Sequence, residues 1–227
     1  MFESRTQAGE ILASALRGFA ELDPIVYALV RGGVPVAAAV AERLGAPLDL
    51  ILVRKLGAPF QPELAIGAVV DGGAPASVLH QDRIAELGVG EEYLKKAEED
   101  ALEEIERRRA VFFKRRKPLP PADRTVIIVD DGLATGATME AAVKAMRGAG
   151  AERVIVAVPV APADTAAKFR SLADDFVCVE TPSPFWAVGN HYRAFPQLAD
   201  SDVVEILADF EKKRRASPDR NPARGSA

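Results

Sequence analysis

Two acids side by side, Asp130 and Asp131, end an apolar run at residues 126–129 and open a turn rich in glycine and hydroxyls, Gly132 to Thr138. A helix-forming stretch follows from Met139. Adjacent carboxylates repel each other, so they need a cation or hydroxyl donors such as a ribose diol. The turn supplies the opposite chemistry. Its backbone N–H groups lie at a helix N-terminus, where partial positive charge favours an anion. Thr135 and Thr138 can donate hydroxyl hydrogen bonds, and Gly132 and Gly136 permit an approach that a side chain would forbid. Together the two halves suit a phosphorylated sugar. An ordinary strand–turn–helix with an acidic turn would share the doubled acid but not the whole string.

Three other groups could serve such a ligand. Val30-Arg31-Gly32-Gly33 joins an apolar run to a helical one and pairs free amides with a guanidinium able to grip a phosphate through two bonds. A tight turn with a surface arginine is the alternative. Arg54 and Lys55 end another apolar run, directly before a Gly/Pro-rich segment that contains Gln61 and Glu63. Strand alternation turns only one of these two bases toward a ligand. Phe185 and Trp186, the latter the chain's single tryptophan, offer flat faces on which a planar base can stack. Packing beneath the C-terminal tail is their alternative use.

The elements that must hold these groups read as a doubly wound α/β fold. Apolar strand-like runs at 25–30, 48–53, 126–129, 153–158 and 175–179 alternate with helical stretches at 34–44, 136–149 and 162–173. This predicts a mainly parallel five-stranded sheet, with ligands at the carboxyl ends of its strands. A further helix at about 4–20 starts at a plausible N-cap, Ser4, with Ile11, Leu12, Ala15, Leu16 and Phe19 as its apolar face. Residues 57–120 do not fit a minimal sheet and are read as an insertion. Its first part is expected to be a mobile hairpin or loop. Its second part, 90–116, is a charged helix with acids first and bases last, the order that complements a helix dipole. We expect one domain over 1–211, with its core at about 20–60 and 120–180 and a small C-terminal hood at 181–200. A C-terminal helix at 200–214 and a disordered tail at 212–227 complete the reading.

The chain has 227 residues, 48% of them hydrophobic, which is enough for a packed core. A net charge of −4 argues against general nucleic-acid binding. One cysteine, Cys178, excludes an internal disulfide framework and any multi-cysteine metal site. Two distant histidines, His80 and His191, do not suggest a zinc site. No stretch is long and apolar enough for a membrane span, and the N-terminus lacks a signal pattern, so a cytoplasmic protein is expected.

The string 126–138 resembles the phosphoribosyl diphosphate (PRPP) signature of the type I phosphoribosyltransferases. It has neither the Gly-Lys-Ser/Thr of a P-loop nor the Gly-x-Gly-x-x-Gly of a dinucleotide site. The resemblance covers roughly 20–60 and 120–195. It implies a PRTase-like fold and transfer of 5-phosphoribosyl from PRPP to a nitrogen heterocycle in nucleotide salvage, with release of pyrophosphate. It assigns Gly132, Ala134, Thr135, Gly136, Ala137 and Thr138 to the 5-phosphate, and Asp130 and Asp131 to the ribose hydroxyls and, directly or indirectly, to Mg²⁺. Arg31, Gly32, Gly33 and Lys55 are assigned to pyrophosphate. A basic residue before a flexible catalytic loop is a family feature, and Lys55 is preferred over Arg54 for it. The segment 181–196 is similar to the hood of the purine enzymes, which gives Phe185, Trp186 and Val188 to the acceptor. Where that group carries an aspartate, this chain has Asn190 or His191, which argues against a second metal. Expected partners are PRPP, a small heterocyclic acceptor and a second copy of the chain in a dimer. The alternative function is a non-catalytic sensor of PRPP or a nucleotide.

Overall fold

The computed structural model describes residues 1–71, 75–112 and 117–216, apart from the side chain of Glu63. Helix α1 (Arg5–Ala15) starts at Ser4, whose hydroxyl oxygen accepts the Gln7 N–H. Its buried face is Ala8, Leu12 and Ala13, continued by Leu16, while Ile11 and Ala15 are exposed. The expected stripe is therefore rotated. The cause is helix α2 (Gly33–Leu44), which lies so close that a Cβ on Gly9 would stand 2.5 Å from the Val36 carbonyl oxygen. A 3-10 turn (Arg17–Leu22) ends the first helical segment earlier than expected. Strand β1 (Ile25–Leu29) is buried along its whole length and feeds α2, which stops at Gly45 in a left-handed conformation with φ +69°.

Strand β2 (Leu48–Ala58), β3 (Gln61–Asp71) and β4 (Pro75–Leu79) follow, then helices α3 (Gln81–Glu86) and α4 (Glu91–Phe112). The second half runs β5 (Thr125–Val129), α5 (Ala137–Gly148), β6 (Arg153–Val160), α6 (Ala163–Leu172), β7 (Asp175–Glu180) and α7 (Asp200–Ala216). One sheet has the order β4-β3-β2-β1-β5-β6-β7. The five strands β2, β1, β5, β6 and β7 are parallel, as the apolar runs predicted. The segment read as a mobile hairpin or loop is a hairpin that extends this sheet, because β2 runs on into an antiparallel pairing with β3, and β3 pairs with β4. The sheet is thus seven-stranded and mixed. Residues 212–216, expected in a disordered tail, are the last turn of α7, and 217–227 lie outside the described residues. No helix among the described residues is long and apolar enough to cross a membrane.

Two apolar clusters cover the sheet. One joins α1, α2, α4 and α7 to one face; the other joins α5 and α6 to the opposite face. The charged helix α4 buries Ala101, Ile105 and Phe112 and leaves most of its acids exposed, with Glu98 and Glu104 half-buried. It braces the hairpin at both ends: the Tyr93 hydroxyl donates to the Gly57 carbonyl at 2.9 Å, and Arg109 Nε lies 3.0 Å from the buried Asp71 carboxylate. The chain returns from the insertion at Leu119. There its carbonyl accepts the Tyr27 hydroxyl, and its N–H donates to the buried Asp49 carboxylate. These partners satisfy polar groups that would be costly to bury alone.

Candidate functional site

Strand order reverses direction between β1 and β5, since β1 leads outward to β2 while β5 leads outward to β6. Open α/β sheets bind ligands in the crevice at such a switch point, beyond the carboxyl ends of the strands. Ala28 pairs with Val129 in this ladder, so Val30 to Gly33 and Asp130–Asp131 leave the sheet side by side. The two motifs touch. A Cβ on Gly32 would lie 2.2 Å from Asp131 Oδ2, and one on Gly33 would lie 2.6 Å from the Val129 carbonyl oxygen and 2.9 Å from Asp130 Cα. Only glycine allows this approach. The Val30–Arg31 peptide is cis.

The turn after the acids is pinned from three sides. The Leu133 N–H donates to the Val160 carbonyl at 2.9 Å, and the Thr165 hydroxyl donates to the Ala134 carbonyl at 2.7 Å. Gly136, at φ +73°, is backed by the Phe169 ring, with a Cβ placed 2.4 Å from the ring edge. Gly136 caps α5 with no side-chain hydrogen bond, which leaves the first amides of that helix facing outward beside the exposed Ala134 and Thr135 and the half-buried Ala137 and Thr138. An open helix N-terminus of this kind can receive an anion. Glu140, one turn on, would oppose an anion. Although burial works to raise its pKa, hydrogen bonds from Lys144 and Lys168 outweigh that and hold it down to about 2.

The acids are themselves constrained. Asp130 Oδ1 accepts the Asp131 N–H at 2.8 Å. Desolvation, then the neighbouring Asp131 charge, pushes the Asp130 pKa well above the usual carboxylate value. Desolvation also raises Asp131, against the pull of Arg5, whose Nε donates to Asp131 Oδ2 at 2.7 Å. Tyr192 donates its hydroxyl to the Asp131 carbonyl at 2.6 Å, and burial pushes that phenol upward. Among the described residues, no three His, Cys, Asp or Glu side chains gather as a metal cage. Two carboxylates at a strand end are hard oxygen donors of the kind Mg²⁺ takes, and too few to complete its shell alone.

The bases are placed less closely. Arg31 is half-buried, and its Nη1 lies 3.7 Å from Asp200 at the start of α7; Arg107 of α4 reaches the same carboxylate at 3.8 Å. Leu29 is the last β1 residue paired with β2, opposite Ile51, so β2 overhangs the crevice. Lys55 lies about 13 Å past that level at roughly 3.3 Å per residue. It shares strand parity with Ile51 and Val53, which face the α5 side, whereas Arg54 shares parity with Leu50 and Leu52 and faces α4. Both bases are exposed, and neither forms an ion pair among the described residues. After β7, Val188 packs on Gly132, where a Cβ would lie 2.6 Å from Val188 Cγ1. Phe185 stacks on His191 with centroids 5.1 Å apart. Trp186 is 80% exposed and is not part of the core.

Arg5 and Asp200 escaped the sequence reading. Asp200 has no local signature. Arg5 does have one: it stands a helical turn before Ala8 and Gly9, at the head of an otherwise apolar buried face. A cation at a helix N-terminus opposes the dipole, and that mismatch points to an outside partner.

A family model described as the phosphoribosyl transferase domain matches residues 4–193. Rv0571c of Mycobacterium tuberculosis H37Rv, provisionally named a phosphoribosyl transferase, is 44% identical over 207 residues, which cover 91% of this chain and 46% of that protein. The chain thus spans under half the length of the curated relatives it matches. The crystal structure of TT1426 from Thermus thermophilus superimposes with a TM-score of 0.81 at 39% identity, covering 92% of this chain and 99% of that one.

Proposed function

The chain belongs to the phosphoribosyl transferase domain family, and from that premise we propose that it transfers the 5-phosphoribosyl group of PRPP to a ring nitrogen of a planar heterocycle. The C1–O bond to pyrophosphate breaks, the C1–N bond forms, and the acceptor nitrogen gives up its proton. One observation carries this reading: the Arg31-Gly32-Gly33 turn lies in contact with the Asp130–Asp131 pair at the switch point, next to the uncapped N-terminus of α5. Cation, acids and amides are then spaced along one crevice in the order diphosphate, ribose, 5-phosphate.

In this reading the amides and hydroxyls from Gly132 to Thr138 hold the 5-phosphate. Asp130 and Asp131 accept hydrogen bonds from the ribose hydroxyls and orient C1. Arg31, with the Gly32 and Gly33 amides, receives the departing pyrophosphate, and Lys55 adds charge from the overhanging hairpin. Catalysis is mostly positional and electrostatic: the residues fix C1 between leaving group and acceptor and stabilise charge that grows on the pyrophosphate. Bound Mg²⁺ supplies further charge neutralisation on the diphosphate, with Asp130 and Asp131 as its protein-side partners, directly or through water. Phe185, Trp186 and Val188 border the acceptor.

A PRPP-dependent screen of purine, pyrimidine and related heterocycles, read as pyrophosphate release, tests the proposal. Release with at least one acceptor is expected. PRPP binding without release across the panel would replace the transferase with a sensor, and no PRPP binding would remove both. The exposed Trp186 should change its emission on titration with an accepted heterocycle, and a silent signal would take Trp186 out of the acceptor site. Arg31→Ala is expected to raise the inhibition constant of pyrophosphate by about tenfold or more, the loss of a charge-assisted bond. Ribose 5-phosphate should bind within about twofold of wild type. Unchanged pyrophosphate inhibition would cancel the Arg31 assignment.

A further inference from the structure

Arg5 is 8% exposed, and its guanidinium is held from three directions. Nε donates to Asp131 Oδ2 at 2.7 Å, Nη1 donates to the Pro196 carbonyl at 2.8 Å, and the group lies 3.7 Å from the centre of the Phe195 ring. A planar fork that is paired, hydrogen-bonded and stacked has one orientation available. The oxygen it grips, Asp131 Oδ2, is the same atom that any Cβ on Gly32 would meet. Tyr192, whose ring packs on both Phe2 and Phe195, holds the Asp131 carbonyl from the other side. The acid is therefore clamped at side chain and main chain by the N-terminal segment and the hood together.

We propose that Arg5 is a positioning residue for the PRPP pocket. By fixing the Asp131 carboxylate against Gly32, it makes the hydroxyl-binding acids and the diphosphate-binding turn one rigid unit. Arg5 acts through Asp131 and does not touch the ligand. The inference rests on the PRPP reading above. A lysine at this position keeps the charge but loses the fork, and a neutral side chain loses both.

The test is calorimetric titration of the full chain with PRPP and Mg²⁺, for wild type, Arg5→Met, Arg5→Lys, Phe195→Leu, Asp131→Asn and the Arg5→Met/Asp131→Asn double variant. Circular dichroism checks folding. Arg5→Met is expected to weaken PRPP about 10- to 100-fold, the usual cost of losing a group that orients a binding side chain. Arg5→Lys should recover part of that, and Phe195→Leu should lose a smaller amount. Once Asp131 is Asn, removing Arg5 should add little further loss, because the two act as one unit. With an acceptor from the screen, KM for PRPP should rise while KM for the acceptor holds. Wild-type affinity in folded Arg5→Met, or fully additive losses in the double variant, overturns the inference while the transferase reading stands. If Arg5→Met does not fold, wild-type affinity in both Arg5→Lys and Phe195→Leu overturns it. No PRPP binding by wild type brings down the underlying reading, and this inference with it.

Discussion

Asp130→Asn is expected to raise the melting temperature of the ligand-free protein above pH 7 while weakening PRPP by roughly 100-fold, the loss of charge-assisted bonds to two hydroxyls. The Asp130 carboxyl has a pKa well above its ordinary 3.8, first through desolvation and then through the Asp131 charge. A carboxyl raised in this way holds a proton more readily folded than unfolded. Its burial costs nothing below the unfolded pKa and destabilises the fold increasingly as pH rises toward the folded one. At neutral pH, where the unfolded carboxyl is ionised, burying Asp130 therefore costs stability, and asparagine removes that cost. The Asn side-chain carbonyl can still accept the Asp131 N–H. A higher melting temperature than wild type at pH 8 is the expected reading in metal-free buffer. The gain should shrink toward pH 4. Melts of both proteins at three pH values check this, and an Asp130→Asn variant less stable than wild type at pH 8 would refute it.

Gly33→Ala is expected to damage both fold and binding. Its Cβ would meet main-chain atoms, the Val129 carbonyl oxygen at 2.6 Å and Asp130 Cα at 2.9 Å. Neither can rotate away like a side chain, so β1 and β5 must move apart at the crevice. Overpacking of this kind destabilises by about 1–3 kcal/mol. The larger effect falls on the ligand, because a shift of about 1 Å in positioned groups can cost roughly 100-fold. Gly148→Ala, at the end of α5 with open space around it, is the matched control and should be neutral or slightly stabilising. Equal PRPP affinity in Gly33→Ala and Gly148→Ala would show that the turn and the acids are not sterically coupled.

The parts of this protein that were legible in its sequence are those whose signal is local. Four of the five parallel strands announced themselves as short apolar runs, because burial on both faces leaves no alternation to misread, and the half-buried edge strand β7 kept an apolar run of its own. The doubled acid and the Arg-Gly-Gly turn were visible because their chemistry depends on neighbouring residues. The β2–β3 hairpin was half legible. Gly57, Pro59 and Pro62 mark a break, yet the irregular register at Leu56–Gly57 lets the strands continue past it. What the sequence concealed was long-range. Arg5 meets Asp131 across 126 positions, and Arg31 meets Asp200 from the other half of the sequence. No spacing rule encodes either pair; the sheet order brings them together. The rotated face of α1 had a similar cause, since only the approach of α2 decides which side of that helix is covered.

The brace between α4 and the hairpin has a mechanical consequence. Tyr93 grips the hairpin near its tip and Arg109 grips it at its base, and both belong to one 22-residue helix. At 1.5 Å per residue that helix is a rod about 33 Å long. Any swing of the Lys55-bearing ribbon over a ligand must drag the rod along, so a spin label on its solvent side can register events in the crevice from the far exterior of the molecule.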